Sequence, residues 1–136
     1  MNIILSGHGN VGTSMKESVE MIFGTVDKFY PVEFHKGEGT EDLLRKYKNI
    51  INENEEETII IADLFCGSPY NAASIIAIEN DSVEVISGMS LPICLDIATM
   101  YNSSNSKEII EHVKKSVQEY TKSFREQLIL ESEDDL

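Results

Sequence analysis

Four short apolar runs rich in β-branched or aromatic residues punctuate the chain: Asn2–Ser6, Lys28–Phe34, Thr58–Ala62 and Val83–Ser87. Between them the apolar positions switch to helical spacing. Met15, Val19, Ile22 and Phe23 mark a first helix that stops at Gly24, and Leu43, Leu44, Tyr47, Ile50 and Ile51 a second that ends near Asn52. Ala72, Ala73, Ile75, Ile76 and Ile78 mark a third, and the run from Leu91 to Tyr101 a fourth. Ile109, Val113, Val117, Tyr120 and Phe124 give a long fifth, which Ser106 is placed to cap. Strands alternating with helices predict an α/β fold: a doubly wound, mainly parallel sheet with helices on both faces and right-handed crossovers.

Two details order the strands. Pro31 cannot donate to a ladder, so the second strand belongs at an edge. "TIIIA" is apolar throughout, as befits a strand buried on both faces. The order 2-1-3-4 satisfies both. In such a sheet the ligand crevice opens at the carboxyl ends of the strands where the winding reverses, here between strands one and three. His8 follows strand one and Asp63 follows strand three, so the two are expected to meet. The "QLIL" segment, with Leu128 to Leu130, is too short for a helix and too apolar for a solvated end; an added edge strand is expected. An acidic, flexible tail over 131–136 closes what reads as a single domain spanning 1–136.

Composition narrows the class. A chain of 136 residues with 41% hydrophobic residues fits one soluble globular domain that buries roughly two-thirds of its unfolded surface. No apolar run approaches the ~20 residues of a membrane helix, and no export signal precedes the first strand. Cys66 and Cys94 make no disulfide framework and read as reduced thiols of a cytoplasmic protein. Eleven basic against twenty-four acidic residues leave a formal charge of −13. Such a surface repels nucleic acid and suits a partner with a basic docking face.

Candidate chemistry gathers at two loops. Gly7-His8-Gly9-Asn10-Val11-Gly12 fits the dinucleotide fingerprint, with Glu33 at a suitable distance for a ribose. A nucleotide-binding module using Gly7, Gly9 and Gly12 is therefore one reading, although no second mononucleotide half follows. The other is that the glycines expose His8 at the strand tip, where Asp63 would bond one ring nitrogen and leave the other as a nucleophile. His35 and His112 read as incidental, His112 as solvated on a charged helix. In "CGSP", Ser68 reads as the N-cap and Pro69 as the first residue of a helix whose N–H groups make an anion site. Gly67 lets backbone approach a ligand there. A metal site from His8, Asp63 and Cys66 lacks ligand spacing, so no metal is expected. No G-x-S-x-G elbow is present.

Taken in order, "GHG", "FHKGEGTEDLLRKY", "ADLFCGSPYNAAS" and "VEVISGMSLP" resemble the EIIA domain of the mannose-class bacterial sugar phosphotransferase system, from Asn2 to about Leu130. The resemblance implies a phosphocarrier. His8 would take the phosphoryl group, Asp63 would orient it, and Ser68 with Gly67 and Gly9 would line the phosphate site. It implies no cofactor, HPr as donor, a histidine of EIIB as acceptor, and membrane EIIC and EIID subunits as indirect partners. It further implies a homodimer in which an antiparallel fifth strand, here "QLIL", is exchanged, and a cytoplasmic place beside a membrane permease. The "NVG" after the histidine departs from the aromatic and small residues common in the family. Some members append a linker and an EIIB domain; the sequence read to Leu136 holds neither, so a free-standing EIIA is expected. The phosphotransfer subunit of dihydroxyacetone kinases, with a similar histidine tip, is the nearest same-class alternative.

Overall fold

The structure is a computed structural model that describes residues 1–54 and 56–134, the side chains of residues 53, 54 and 134 excepted. Strands β1 (Asn2–His8), β2 (Phe29–Phe34), β3 (Thr58–Ala62) and β4 (Val83–Ser87) form one parallel sheet in the order β2-β1-β3-β4. Helices α1 (Val11–Ile22), α2 (Thr40–Asn54), α3 (Ser68–Glu79), α4 (Leu91–Met100) and α5 (Ser106–Ser116) follow, then a 3₁₀ turn (Val117–Tyr120) and α6 (Phe124–Asp134).

Alternation along the central strands sorts the core into two layers. Ile3 and Leu5 of β1 and Ile59 and Ile61 of β3 face Val19 of α1, Ile97 of α4 and Ile109 of α5. Ile4 and Ile60 face the other way, onto Leu43 and Tyr47 of α2 and Ala72, Ala73 and Ile76 of α3. Every residue of β3 is buried, so each isoleucine there contributes roughly 1.5–3 kcal/mol by leaving water. The same alternation carries Ser6 and then His8 toward the layer formed by α2 and α3. The expected strand order and the reversal between β1 and β3 are observed, and Pro31 lies on an edge strand.

The carboxyl-terminal part differs from expectation. The long fifth helix is broken: α5 tightens into the 3₁₀ turn, and Thr121 to Ser123 leave helical geometry. The expected fifth strand is also absent, because Leu128 to Leu130 lie inside α6. Ser123 is the reason. Its carbonyl accepts from Gln127 and its hydroxyl from the Glu126 N–H at 3.5 Å, a serine–x–x–glutamate start followed by good helix formers. A strand would need a neighbouring edge to satisfy its backbone, whereas the helix satisfies itself. Of the expected tail, residues 131–134 continue this helix, and 135 and 136 lie outside the described residues. Asn105, rather than Ser106, caps α5, accepting from the Glu108 N–H at 2.9 Å.

Candidate active site

β1 and β3 end side by side, and the chain leaves them in opposite directions. That divergence opens the crevice in which His8 and Asp63 meet. Asp63 Oδ2 lies 2.9 Å from His8 Nδ1 and accepts the His8 backbone N–H, also at 2.9 Å. One oxygen thus holds both the ring and the strand tip. The other, Oδ1, is buried and makes no hydrogen bond among the described residues. The His8 side chain is 52% exposed, Asp63 only 21%. With Nδ1 engaged, Nε2 has no partner among the described residues and carries the lone pair if Asp63 fixes the Nδ1–H tautomer. Phe34, beside His8 in the β1–β2 register, packs edge-on against the imidazole with centroids 5.7 Å apart. That contact restricts ring rotation, and nothing in the strand pattern of β2 announced it.

The glycines of the fingerprint have local uses. A Cβ on Gly7 would stand 2.3 Å from Val11 Cγ1 and 2.8 Å from Asp63 Cγ, so only glycine lets the carboxylate reach the strand tip. A Cβ on Gly12 would stand 2.2 Å from the Leu5 carbonyl oxygen; its absence lets α1 lie close on β1. Gly9 turns the chain with φ +62° while its N–H bonds the Phe34 carbonyl at 2.7 Å. Glu33, the residue a ribose would need, is fully engaged: Oε2 accepts from Thr13 at 2.6 Å and Oε1 lies 2.7 Å from His35 Nε2. The Thr13 hydroxyl first, and then His35, hold its carboxyl below the usual range.

Opposite His8 lies the start of α3. Here the expected cap is corrected by one residue: Gly67 is the N-cap, and Ser68 and Pro69 open the helix. A serine followed by proline fits either place, and the extended φ and ψ of −77° and 170° fall on Gly67. The Ser68 hydroxyl, freed from capping, has no hydrogen bond among the described residues. A Cβ on Gly67 would sit 3.3 Å from His8 Cε1, so the bare backbone is what lets the helix start approach the ring. The first N–H groups of a helix have no helical partner, and with the helix dipole they attract an anion. Just before them Cys66 adopts a left-handed φ of 63°, its carbonyl bonded by Asn71 Nδ2 at 3.2 Å. Leu64 and Phe65 stand exposed on the same loop.

The structure therefore brings His8, Asp63 and Gly67 together, with Gly9 and Ser68 adjoining in sequence. His35 pairs with Glu33, and the exposed His112 lies 3.2 Å from Asp96 across α4 and α5. Among the described residues no three His, Cys, Asp or Glu side chains are grouped to hold a metal ion. No helix among them is long and apolar enough to cross a membrane.

Fold and site define a doubly wound α/β protein with an open, carboxylate-braced histidine at its switch point. Residues 2–114 match the EIIA-man family model, described as PTS system fructose IIA component. The chain is 35% identical over 136 residues to the sorbose-specific EIIA component of Lacticaseibacillus casei, covering 99% of each. It is 34% identical over 116 residues to the fructose-specific EIIA component of Bacillus subtilis (strain 168), covering 84% of this chain and 80% of that one. Among solved structures, the phosphotransferase system component EIIA from Streptococcus agalactiae shares the fold at TM-score 0.84. Identity there is 22%, and the match covers 91% of this chain and 97% of that one. The chain belongs to the EIIA family of the mannose class, the phosphotransfer components of the sugar phosphotransferase system.

Proposed function

We propose that this chain is a cytoplasmic phosphocarrier that takes a phosphoryl group from the phosphohistidine of HPr onto His8 Nε2 and yields it to a histidine of a cognate EIIB. The observation that carries this reading is the 2.9 Å contact between His8 Nδ1 and Asp63 Oδ2, which leaves Nε2 unengaged on a half-exposed ring. The Nε2 lone pair attacks phosphorus in line. The P–N bond to the donor histidine breaks, and its electron pair returns to the donor ring. The His8 ring keeps its Nδ1–H and gains positive charge as the bond forms, and the Asp63 carboxylate stabilises that charge. The phosphoryl oxygens face the N–H groups at the start of α3 and the Ser68 hydroxyl. Gly9 and Gly67 keep the approach clear. Catalysis is positioning and charge stabilisation, and the scheme uses no metal or cofactor. Attack needs the neutral imidazole, whose Nε2 lone pair is free to form the new bond.

The partners follow from the same reading. A chain of formal charge −13 favours basic docking faces on HPr and EIIB and complexes weakened by salt. The membrane EIIC and EIID subunits are reached only through EIIB. A homodimer is supported by two features: β4 ends the sheet with a free edge, and Phe124, Ile129 and Leu130 are exposed on α6. Light scattering should return twice the chain mass.

Labelling tests the carrier role. Phospho-HPr should transfer an acid-labile, base-stable label to the wild type and to His35→Ala, and none to His8→Ala. Label retained by His8→Ala refutes the assignment. Labelled protein that passes nothing to EIIB would leave His8 as a signalling site rather than a carrier.

A further inference from the structure

Tyr47 reads in the sequence as one more apolar mark on α2, yet its hydroxyl lies at the centre of a buried chain of hydrogen bonds. Its Oη is 2.6 Å from Ser6 Oγ and 3.0 Å from the Pro69 carbonyl oxygen. Ser6 and Tyr47 are wholly buried, and Pro69 is buried. Tyr47 has one proton and the carbonyl has none, so the directions are set: Ser6 O–H donates to Tyr47, and Tyr47 O–H donates to Pro69. Ser6 stands two residues before His8 on β1, and Pro69 one residue after Ser68 at the start of α3. The chain thus joins the strand that carries the histidine to the helix start that faces it, through a third element.

From this geometry we infer that Tyr47 is a positioning residue for phosphoryl transfer: its hydroxyl sets the separation between His8 and the start of α3. The inference rests on the phosphocarrier reading. His8 Cε1 already lies within 3.3 Å of where a Cβ on Gly67 would be, so the gap has little slack. Apolar contacts such as those of Ala72, Ala73 and Ile76 are non-directional and leave α3 some freedom along β1. Directional hydrogen bonds remove that freedom, and in-line transfer is sensitive to displacements of about 1 Å, costing as much as ~10²-fold in rate. Burial raises the phenol's pKa to about 12, so the proton that makes the bond to Pro69 stays in place throughout the working pH range.

The test uses the full chain and phospho-HPr as donor. Tyr47→Phe keeps the ring and deletes the bridge. It should lower the maximal transfer rate about tenfold or more and leave the donor concentration at half-maximal rate unchanged, because the wholly buried Tyr47 cannot touch the donor. Ser6→Ala combined with Tyr47→Phe removes both side-chain partners, so its melting temperature should recover toward the wild type while transfer stays slow. Ile76→Val, in the same layer, supplies a comparable loss of stability with transfer at the wild-type rate. If Tyr47→Phe transfers as fast as the wild type, or if the double variant regains speed along with stability, the positioning role is overturned. Wild-type protein that takes no label at all refutes the phosphocarrier reading itself, and the role of Tyr47 falls with it.

Discussion

Asp63 Oδ2 receives two hydrogen bonds from His8, one from the backbone and one from the ring, each at 2.9 Å. A carboxylate so placed keeps the proton on Nδ1, and under the proposed mechanism it also opposes the positive charge that phosphorylation of Nε2 would create. Asp63→Asn keeps an oxygen for the backbone N–H but loses the charge. Labelling by phospho-HPr should slow by roughly 10²-fold, on the scale of losing one preorganised electrostatic partner. Circular dichroism melts should show the fold retained. Near-wild-type transfer by Asp63→Asn would mean the contact only decorates the site.

Gly7 makes that contact possible. In Gly7→Ala the new Cβ meets Val11 Cγ1 and Asp63 Cγ well inside contact distance, and one of them must move. Overpacking of this kind costs about 1–3 kcal/mol. We expect a measurable drop in melting temperature together with a loss of transfer comparable to Asp63→Asn, since the carboxylate is the group displaced. A variant that melts lower but transfers normally would show that Val11 gives way instead.

Much of the geometry at this site is legible in the sequence. Pro31 and "TIIIA" favour the strand order that is observed, and that order brings the ends of β1 and β3, and with them His8 and Asp63, together. What escaped was information that one-dimensional patterns do not hold. Tyr47 counts as apolar by helical spacing, and its hydroxyl acquires meaning only once Ser6 and Pro69 are adjacent. The double duty of Gly7 depends on Val11 and Asp63 arriving from other elements. Phe34 follows strand alternation, and only the register of β2 on β1 sets it against the imidazole. The Ser123–Glu126 spacing was a legible helix start; the apolar weight of "QLIL" outranked it and suggested a strand.

The two thiols should behave as opposites. Cys94, on α4, is buried in the core layer between that helix and the sheet, and burial pushes its thiol up to about 12. Cys66 is exposed on the loop before α3. A thiolate-selective reagent such as a disulfide chromophore should modify Cys66 in the native protein and reach Cys94 only in denaturant. Bulk added at Cys66, next to Gly67, should block phosphoryl transfer, and removal of the adduct should restore it. Fast reaction of both thiols under native conditions would mean that α4 opens readily.

Glu56 ties together the starts of β1 and β2, bonding the Met1 ammonium at 2.6 Å and Lys28 Nζ at 2.5 Å. The Lys28 hydrogen bond first, and then the ammonium, pull its carboxyl from 4.5 down to about 2. A depressed carboxylate stabilises the fold fully above its unfolded value and loses that contribution as pH falls toward its folded one. The melting temperature of Glu56→Gln should therefore lie below the wild type at pH 7, the gap closing between about pH 4.5 and about 2. The groups are partly exposed, so molar salt at pH 7 should also shrink the difference. A gap that stays constant from pH 7 to pH 3 would show that the glutamate acts through packing, and that the charges at this corner of the sheet contribute nothing to its stability.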